Sequence, residues 1–587
     1  MTKCLFQYSG SDGHAYCPEG TELAEGGRPD PQPRVVSKAR PRVHRIEYEE
    51  HYSGREAVET SEPILRHLRV IDPATGLDDH PSLQGSAVTV VQREKAPTSP
   101  RRPHRHRWVI PVGFVWAMSL LVWVLVDGVR PQSYQVEVVW LASMLTALGL
   151  MGTAAMSGEL DVRTALARLK LGPWTGIGFT FGFGLATLSW LGDMQGYRGL
   201  VSPSSLVPAG AVAGAGFIAF LLAHRLTPRL IREGASNLDR LLRGGGAFAP
   251  TALGVWVLWT MSMLASAVSF SRGNVGYLSD PGATMDTSSS ANEVLSLLTQ
   301  LGLLATLIAG WRVAVDRRPG SLALLLWVAS SQVVLGLFSG MKEAAIIQLV
   351  AVVVGYSARG RLRWTPLVIA GCIALFVVTP FVTAYRTVVL NGSGRLSPTE
   401  ALQTVRFDQL IGGLTSGDAA GGTTGDAFSR LTRIGDVAII VQNTPTRIDY
   451  ISPVALLAGP ALGFVPRSIW PGKPVMDAGY QVYRQYWGGT VYSSAAVTPY
   501  GDLYRRGGML IVIIGMSCLG VFVRTVDSRE SAESDLDPRL LFLPLVLFTT
   551  FVKQEMDFLM ISASLAGTIL TAALAARLVS RRTLPRS

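Results

Sequence analysis

The stretch GSLALLLWVASSQVVLGLF, residues 320–338, decides the fold. It carries no charged side chain over close to the about 20 residues that an α-helix needs to cross the hydrocarbon core of a bilayer. It therefore reads as a membrane span. Working outward, eleven further segments read the same way: 108–126, 137–156, 173–191, 205–223, 250–270, 294–311, 342–358, 365–385, 508–524, 540–557 and 558–576. The expected fold class is an all-α integral membrane protein of about twelve transmembrane helices, with one large loop between spans 9 and 10.

Composition agrees. Of 587 residues, 48% are hydrophobic and 16% charged, against about 25% charged in soluble domains, and the mean hydropathy is +0.30. The net charge of +11 does not call for nucleic acid as a partner, because the basic residues cluster at the ends of apolar segments, as positive-inside placement requires. Cys372 and Cys518 fall inside apolar segments; Cys4, Cys17 and His14 fall short of the about four ligands of a zinc site, so no metal and no cofactor is expected.

Residues 1–107 hold eleven of the 33 prolines and seven of the eight histidines, with no sustained helical period. They read as a disordered cytoplasmic tail that Arg101, Arg102, Arg105 and Arg107 stop at the membrane face. With the tail inside, the basic groups around Arg163, Arg225, Arg312, Arg359 and Arg577 also fall inside. Spans 1–9 then occupy 108–385, spans 10–12 occupy 508–576, residues 577–587 form a cytoplasmic tail, and 386–507 is a large extracytoplasmic loop.

Loops beyond about 15 residues in a tight bundle are usually functional. This one has eleven Lys/Arg, eight Asp/Glu, no histidine and no cysteine, and nine aromatic residues crowd positions 464–504. Arginine forks fit phosphate oxygens and aromatic faces fit sugar rings, which suits a glycan carried on a lipid phosphate. Interfacial anchoring by Trp470, Trp487 and the tyrosines is the competing explanation.

The order FVPRSIWPGKP (464–474), DAGYQVYRQYWGG (477–489) and TPYGDLYRRGG (498–508), with SGMKEA (339–344) and AYR (384–386), resembles the oligosaccharide repeat-unit polymerases, the Wzy-like O-antigen polymerase family. Asp502 stands where a glutamate is usual, and Arg505 and Arg506 replace a more neutral pair. The resemblance implies a multi-pass protein of the cytoplasmic membrane that transfers a polyprenyl diphosphate-linked glycan onto a second lipid-linked repeat unit at the outer face. It further implies a chain-length regulator and a flippase as partners beyond the lipid-linked donor and acceptor.

A sugar diphosphate is already activated, so such a site needs cations for the leaving group and one base for the attacking hydroxyl. The expected residues are Arg433, Arg467 and Asp502 for catalysis, and Arg386, Lys342, Lys473, Trp470 and Tyr504 for binding. Asp502 is the expected base, with Asp436 and Asp477 as alternatives. The loop's carboxylates are scattered, which points to a metal-independent, inverting displacement. Each residue has a plainer reading: Arg386 snorkelling at a span end, Arg433 ion-paired on an amphipathic helix, Lys342 paired with Glu343, Asp502 capping a helix.

Asp535-Leu536-Asp537 spells an acid-x-acid metal pattern in a loop too short for a nucleotide-binding domain, and reads as a solvated acidic run. An O-antigen ligase usually places a histidine in its large loop, which is absent here. A flippase or transporter would place charges at span centres on broken helices.

Overall fold

The computed structural model describes residues 7–8, 15–17 and 44–46 and, beyond them, 133–158, 162–191, 199–226, 228–243, 250–272, 290–357, 364–379, 381–382, 385, 432–465, 469–470, 478–489, 495–528 and 537–579. The N-terminal unit, Met1–Arg101, contains three short strands, β1 (Gln7–Tyr8), β2 (Ala15–Cys17) and β3 (His44–Ile46), paired antiparallel in that order. A tail without regular structure was expected there, and these strands are the non-helical regular elements among the described residues.

The second unit is helical throughout its described residues. Its elements are α1 (Ser133–Ser157), α2 (Val162–Ala167), α3 (Leu171–Phe179), α4 (Leu206–Leu226), α5 (Pro228–Arg243), α6 (Ala252–Ser271), α7 (Ser290–Thr299), α8 (Leu301–Asp316), α9 (Pro319–Phe338), α10 (Lys342–Ser357), α11 (Trp364–Ile373), α12 (Ile434–Asn443), α13 (Val454–Phe464), α14 (Ala478–Tyr486), α15 (Pro499–Arg505), α16 (Gly508–Ser528), α17 (Pro538–Lys553) and α18 (Phe558–Val579).

Seven stretches are long and apolar enough to cross a membrane: Tyr134–Ser157, Pro203–Leu226, Ala252–Ser271, Val294–Asp316, Pro319–Phe338, Gly508–Ser528 and Phe558–Arg577. They coincide with seven of the twelve expected spans, so the chain is a multi-pass membrane protein. Four of the other expected spans form helices that are shorter or irregular. α10 and α17 have 16 residues each, about 24 Å at 1.5 Å per residue against a hydrocarbon core of about 30 Å. α3 and α11 run into wide turns, Thr180–Gly184 and Ala374–Val378. The span expected at 108–126 lies outside the described residues.

Small residues let the helices approach closely. A side chain at Gly176 would strike Thr153 of α1, and one at Gly520 would strike the Phe220 carbonyl of α4, so α1 packs on α3 and α4 on α16 backbone to backbone. Buried polar groups are satisfied between helices: Thr306 Oγ1 of α8 donates to Gln348 Oε1 of α10 at 2.9 Å, and Trp259 Nε1 of α6 donates to Ser331 Oγ of α9 at 2.8 Å.

Candidate functional site

The stretch TPYGDLYRRGG builds the centre of the site. Thr498 caps α15 by accepting from the Gly501 N–H at 3.1 Å, Pro499 occupies the first helical position, and Asp502 falls in the first turn. A Cβ at Gly501 would meet Ile440 Cδ1 of α12 at 2.8 Å, so the glycine lets α15 and α12 pack without displacing that side chain. Gly508 takes φ +69°, the left-handed conformation that turns α15 into α16. Tyr500 is buried against Phe179 and Phe183, and its hydroxyl donates to Gln554 Oε1 at 3.2 Å.

Asp502 is 0% exposed. Its Oδ1 accepts from Arg505 Nε at 2.8 Å and from Arg506 Nε at 3.0 Å, and its Oδ2 from the Leu559 N–H at 3.4 Å. Arg505 is equally buried, and its two terminal nitrogens have no hydrogen-bond partner among the described residues. Hydrogen bonds from charged groups contribute about 1.5–3 kcal/mol each, so a buried fork left open forgoes a comparable amount.

Asp557 joins this pair from the turn between α17 and α18. The Met560 N–H donates to its Oδ1 at 2.8 Å, so successive N–H groups of the first turn of α18 hold both carboxylates. Burial, with the Asp502 charge behind it, pushes the Asp557 carboxyl up to about 6, against the opposing pull of the Met560 N–H and the two arginines. Tyr486 of α14 exchanges a 2.8 Å hydrogen bond with Thr444, and burial raises its hydroxyl above the ordinary range.

Arg433 borders the same turn. Its N–H donates to the Gly182 carbonyl at 3.0 Å in the wide turn after α3, and its guanidinium pairs with Glu555 and lies 3.8 Å from Asp436. Glu555 also pairs with Lys553 at 2.9 Å, and Lys553 pairs with Glu343 of α10. The helix that follows Arg433 is not an amphipathic surface helix: residues 434–440 are all buried.

Of the expected residues, Asp502 and Arg433 therefore meet at one turn, residues 553–559. Lys342 opens α10 beside Glu343 and is partly exposed, which puts it near the far end of the ionic chain. Tyr504 leans on Tyr450 with ring centroids 6.4 Å apart, and Trp470 is 37% exposed. Arg386, Arg467 and Lys473, together with the alternative base Asp477, lie outside the described residues. Asp537 caps α17 and pairs with Arg539 at 2.6 Å, a structural use of one acid from the acid-x-acid stretch. Among the described residues, no three His, Cys, Asp or Glu side chains gather as a metal site would need.

Sequence reasoning noted Arg505 and Arg506 only as departures and passed over Lys553, Glu555 and Asp557. A signal was present. KQEMD, 553–557, places three charges at the end of a segment assigned wholly to a span, and charge within a span marks function by default.

Residues 280–535 match the family model described as Domain of unknown function (DUF8712). The match covers less than half of the chain and includes Arg433, Asp502, Arg505 and Arg506 but not the 553–557 turn. No curated protein and no solved structure matches the chain.

Proposed function

We propose that the chain polymerises oligosaccharide repeat units carried on a polyprenyl diphosphate into a cell-surface polysaccharide, at the outer face of the cytoplasmic membrane. On this reading it crosses twelve times, both ends face the cytoplasm and residues 386–507 work outside. The acceptor hydroxyl displaces the diphosphate directly, with inversion and without a metal.

The observation that carries the reading is the open guanidinium of Arg505. Arg505 and Arg506 both converge on Asp502, with Asp557 beside them, and Arg505 leaves both terminal nitrogens without a hydrogen-bond partner among the described residues in a buried setting. A departing diphosphate gathers negative charge and presents paired oxygens, the geometry that a planar fork meets with two bonds at once. Arg433 and Lys342 are the further cations assigned to the leaving group and Trp470 and Tyr504 the faces for sugar rings, while Arg386, Arg467 and Lys473 are candidates on sequence alone.

The test is the lipid-linked glycan profile of a strain lacking the protein. Accumulated single repeat units on the outer leaflet support a polymerase. Long polymer left on its lipid indicates a ligase, and repeats trapped on the inner leaflet indicate a flippase. Topology is checked by Thr446→Cys, at an exposed position beyond α12: labelling of intact cells by an impermeant thiol reagent is expected, and labelling only after lysis breaks the assignment.

A further inference from the structure

Two carboxylates share the first turn of α18, and they are not equivalent. Asp502 has three donors on its two oxygens, two of them guanidinium groups. Both of its oxygens are committed to those donors. Asp557 receives one backbone N–H on Oδ1, and its Oδ2 has no hydrogen-bond partner among the described residues. It is nonetheless only 6% exposed. Of the two, Asp557 is the carboxylate with an oxygen left uncommitted for a hydroxyl proton.

We infer that Asp557 takes the proton of the attacking hydroxyl, and that Asp502 is the positioning counter-ion that holds Arg505 and Arg506. This assignment rests on the polymerase reading and moves the base from the large loop to the turn between α17 and α18. In the step, the acceptor oxygen forms a bond to the anomeric carbon of the donor. The bond from that carbon to the diphosphate oxygen breaks, its electron pair leaving on the diphosphate, and the hydroxyl proton passes to Asp557 Oδ2.

The groups facing Asp557 agree with the role. From α15 they are Asp502, whose charge raises its proton affinity, and Arg505 and Arg506, which lower it. Its own helix adds the Met560 N–H, the preceding turn adds Glu555 already paired with Arg433 and Lys553, and α13, packed along α18, contributes no titratable side chain. The net upward push, to about 6, leaves Asp557 ionised at neutral pH and close to the optimum for a general base.

The experiment uses the full-length protein in lipid nanodiscs with a synthetic polyprenyl diphosphate-linked repeat unit, comparing parent, Asp557→Asn, Asp557→Glu and Asp502→Asn across pH 5–9. The expected parent rate falls as pH drops through about 6. Asp557→Asn is expected to lose about 10²–10⁴-fold in turnover with substrate binding retained and the acidic limb abolished. Asp557→Glu keeps partial activity with the limb displaced, and it serves as the readout if the asparagine variant does not fold. Asp502→Asn is expected to weaken substrate binding and to keep an acidic limb, moved to lower pH because the Asp502 charge that raises the proton affinity of Asp557 is gone. A parent that turns over no repeat unit defeats the polymerase reading and this assignment with it. An active parent whose Asp557→Asn retains turnover, or whose active Asp557→Glu keeps an unmoved limb, overturns this assignment alone.

Discussion

Two buried acids at different places in the bundle are treated in opposite ways. Asp527, near the end of α16, accepts from the Leu171 N–H at 2.7 Å and the Gly172 N–H at 2.9 Å at the start of α3, and stands 3.3 Å from His224 Nε2 of α4. The two N–H groups and the His224 imidazole close around the carboxylate and fasten three helices, although His224 Nδ1 on the far side of the ring has no hydrogen-bond partner among the described residues. At Asp502 the acid is likewise surrounded, but the cations brought to it have capacity left over, since both terminal nitrogens of Arg505 are unpartnered among the described residues. The contacts of the Asp527 carboxylate are complete, whereas at Asp502 a buried guanidinium is left with terminal nitrogens unpartnered among the described residues, which costs stability.

The comparison breaks most sharply at Arg505. On the polymerase reading, Arg505→Met is expected to reduce polymer formation by at least about 10²-fold, because two or three charge-assisted hydrogen bonds of about 1.5–3 kcal/mol each are lost from the transition state. It should leave the detergent melting temperature unchanged or higher, since Arg506 still neutralises Asp502 and a buried charge has gone. A variant that polymerises normally, or that melts far below the parent, makes Arg505 structural after all.

Next in size is Asp527→Ala. Removing the acid from the closed knot strands two buried N–H groups and is expected to cost about 3–5 kcal/mol, read as a large fall in membrane abundance and melting temperature. Activity per folded molecule should hold. Loss of specific activity without loss of abundance would reverse the roles assigned to the two knots.

A smaller effect sharpens the contrast through pH. Asp557 in the folded protein titrates at about 6, above its ordinary 3.8. The folded state binds that proton more tightly than the unfolded chain, so the stability it contributes is complete below about pH 4 and is lost as pH rises through about 6. Asp557→Asn mimics the protonated form. It is expected to stabilise by on the order of 2 kcal/mol above pH 7 and by nothing near pH 4, measured as melting temperature against pH. Equal shifts at both pH values would show that the group is not titrating.

The smallest expected effect is Tyr486→Phe. It deletes one hydrogen bond, to Thr444, at a cost of about 1 kcal/mol, with turnover changed by less than about threefold; a larger loss of turnover would add Tyr486 to the site.

Much of this was legible in the chain. The seven apolar stretches from Tyr134–Ser157 to Phe558–Arg577 could be read from length and charge alone, because lipid tolerates little else. TPYGDLYRRGG announced its own local structure: a hydroxyl cap, a proline in the first turn and a glycine pair at the exit. What periodicity could not reveal was the company these residues keep. Residues 540–557 looked like one span to their end, yet α17 stops at Lys553 and releases Lys553, Glu555 and Asp557 into a turn. Arg433, expected as a catalytic cation, had as its plainer reading an ion-paired place on an amphipathic surface helix; it is ion-paired but buried, because α4 and α15 close over α12.

The sequence by itself determined the solvent of this protein, the placement of its longest helices and the presence of one charged, aromatic-rich segment among them. These follow from apolar run length and local capping, which depend on neighbours in the chain. Tertiary structure alone decided which charges are closed and which are open. Asp502 and Leu559, or Arg433 and Glu555, lie far apart along the chain, and their meeting depends on small residues that let helices approach and on short helices that end where charge is needed. Hydrogen-bond saturation is a property of that meeting, and no spacing of residues encodes it.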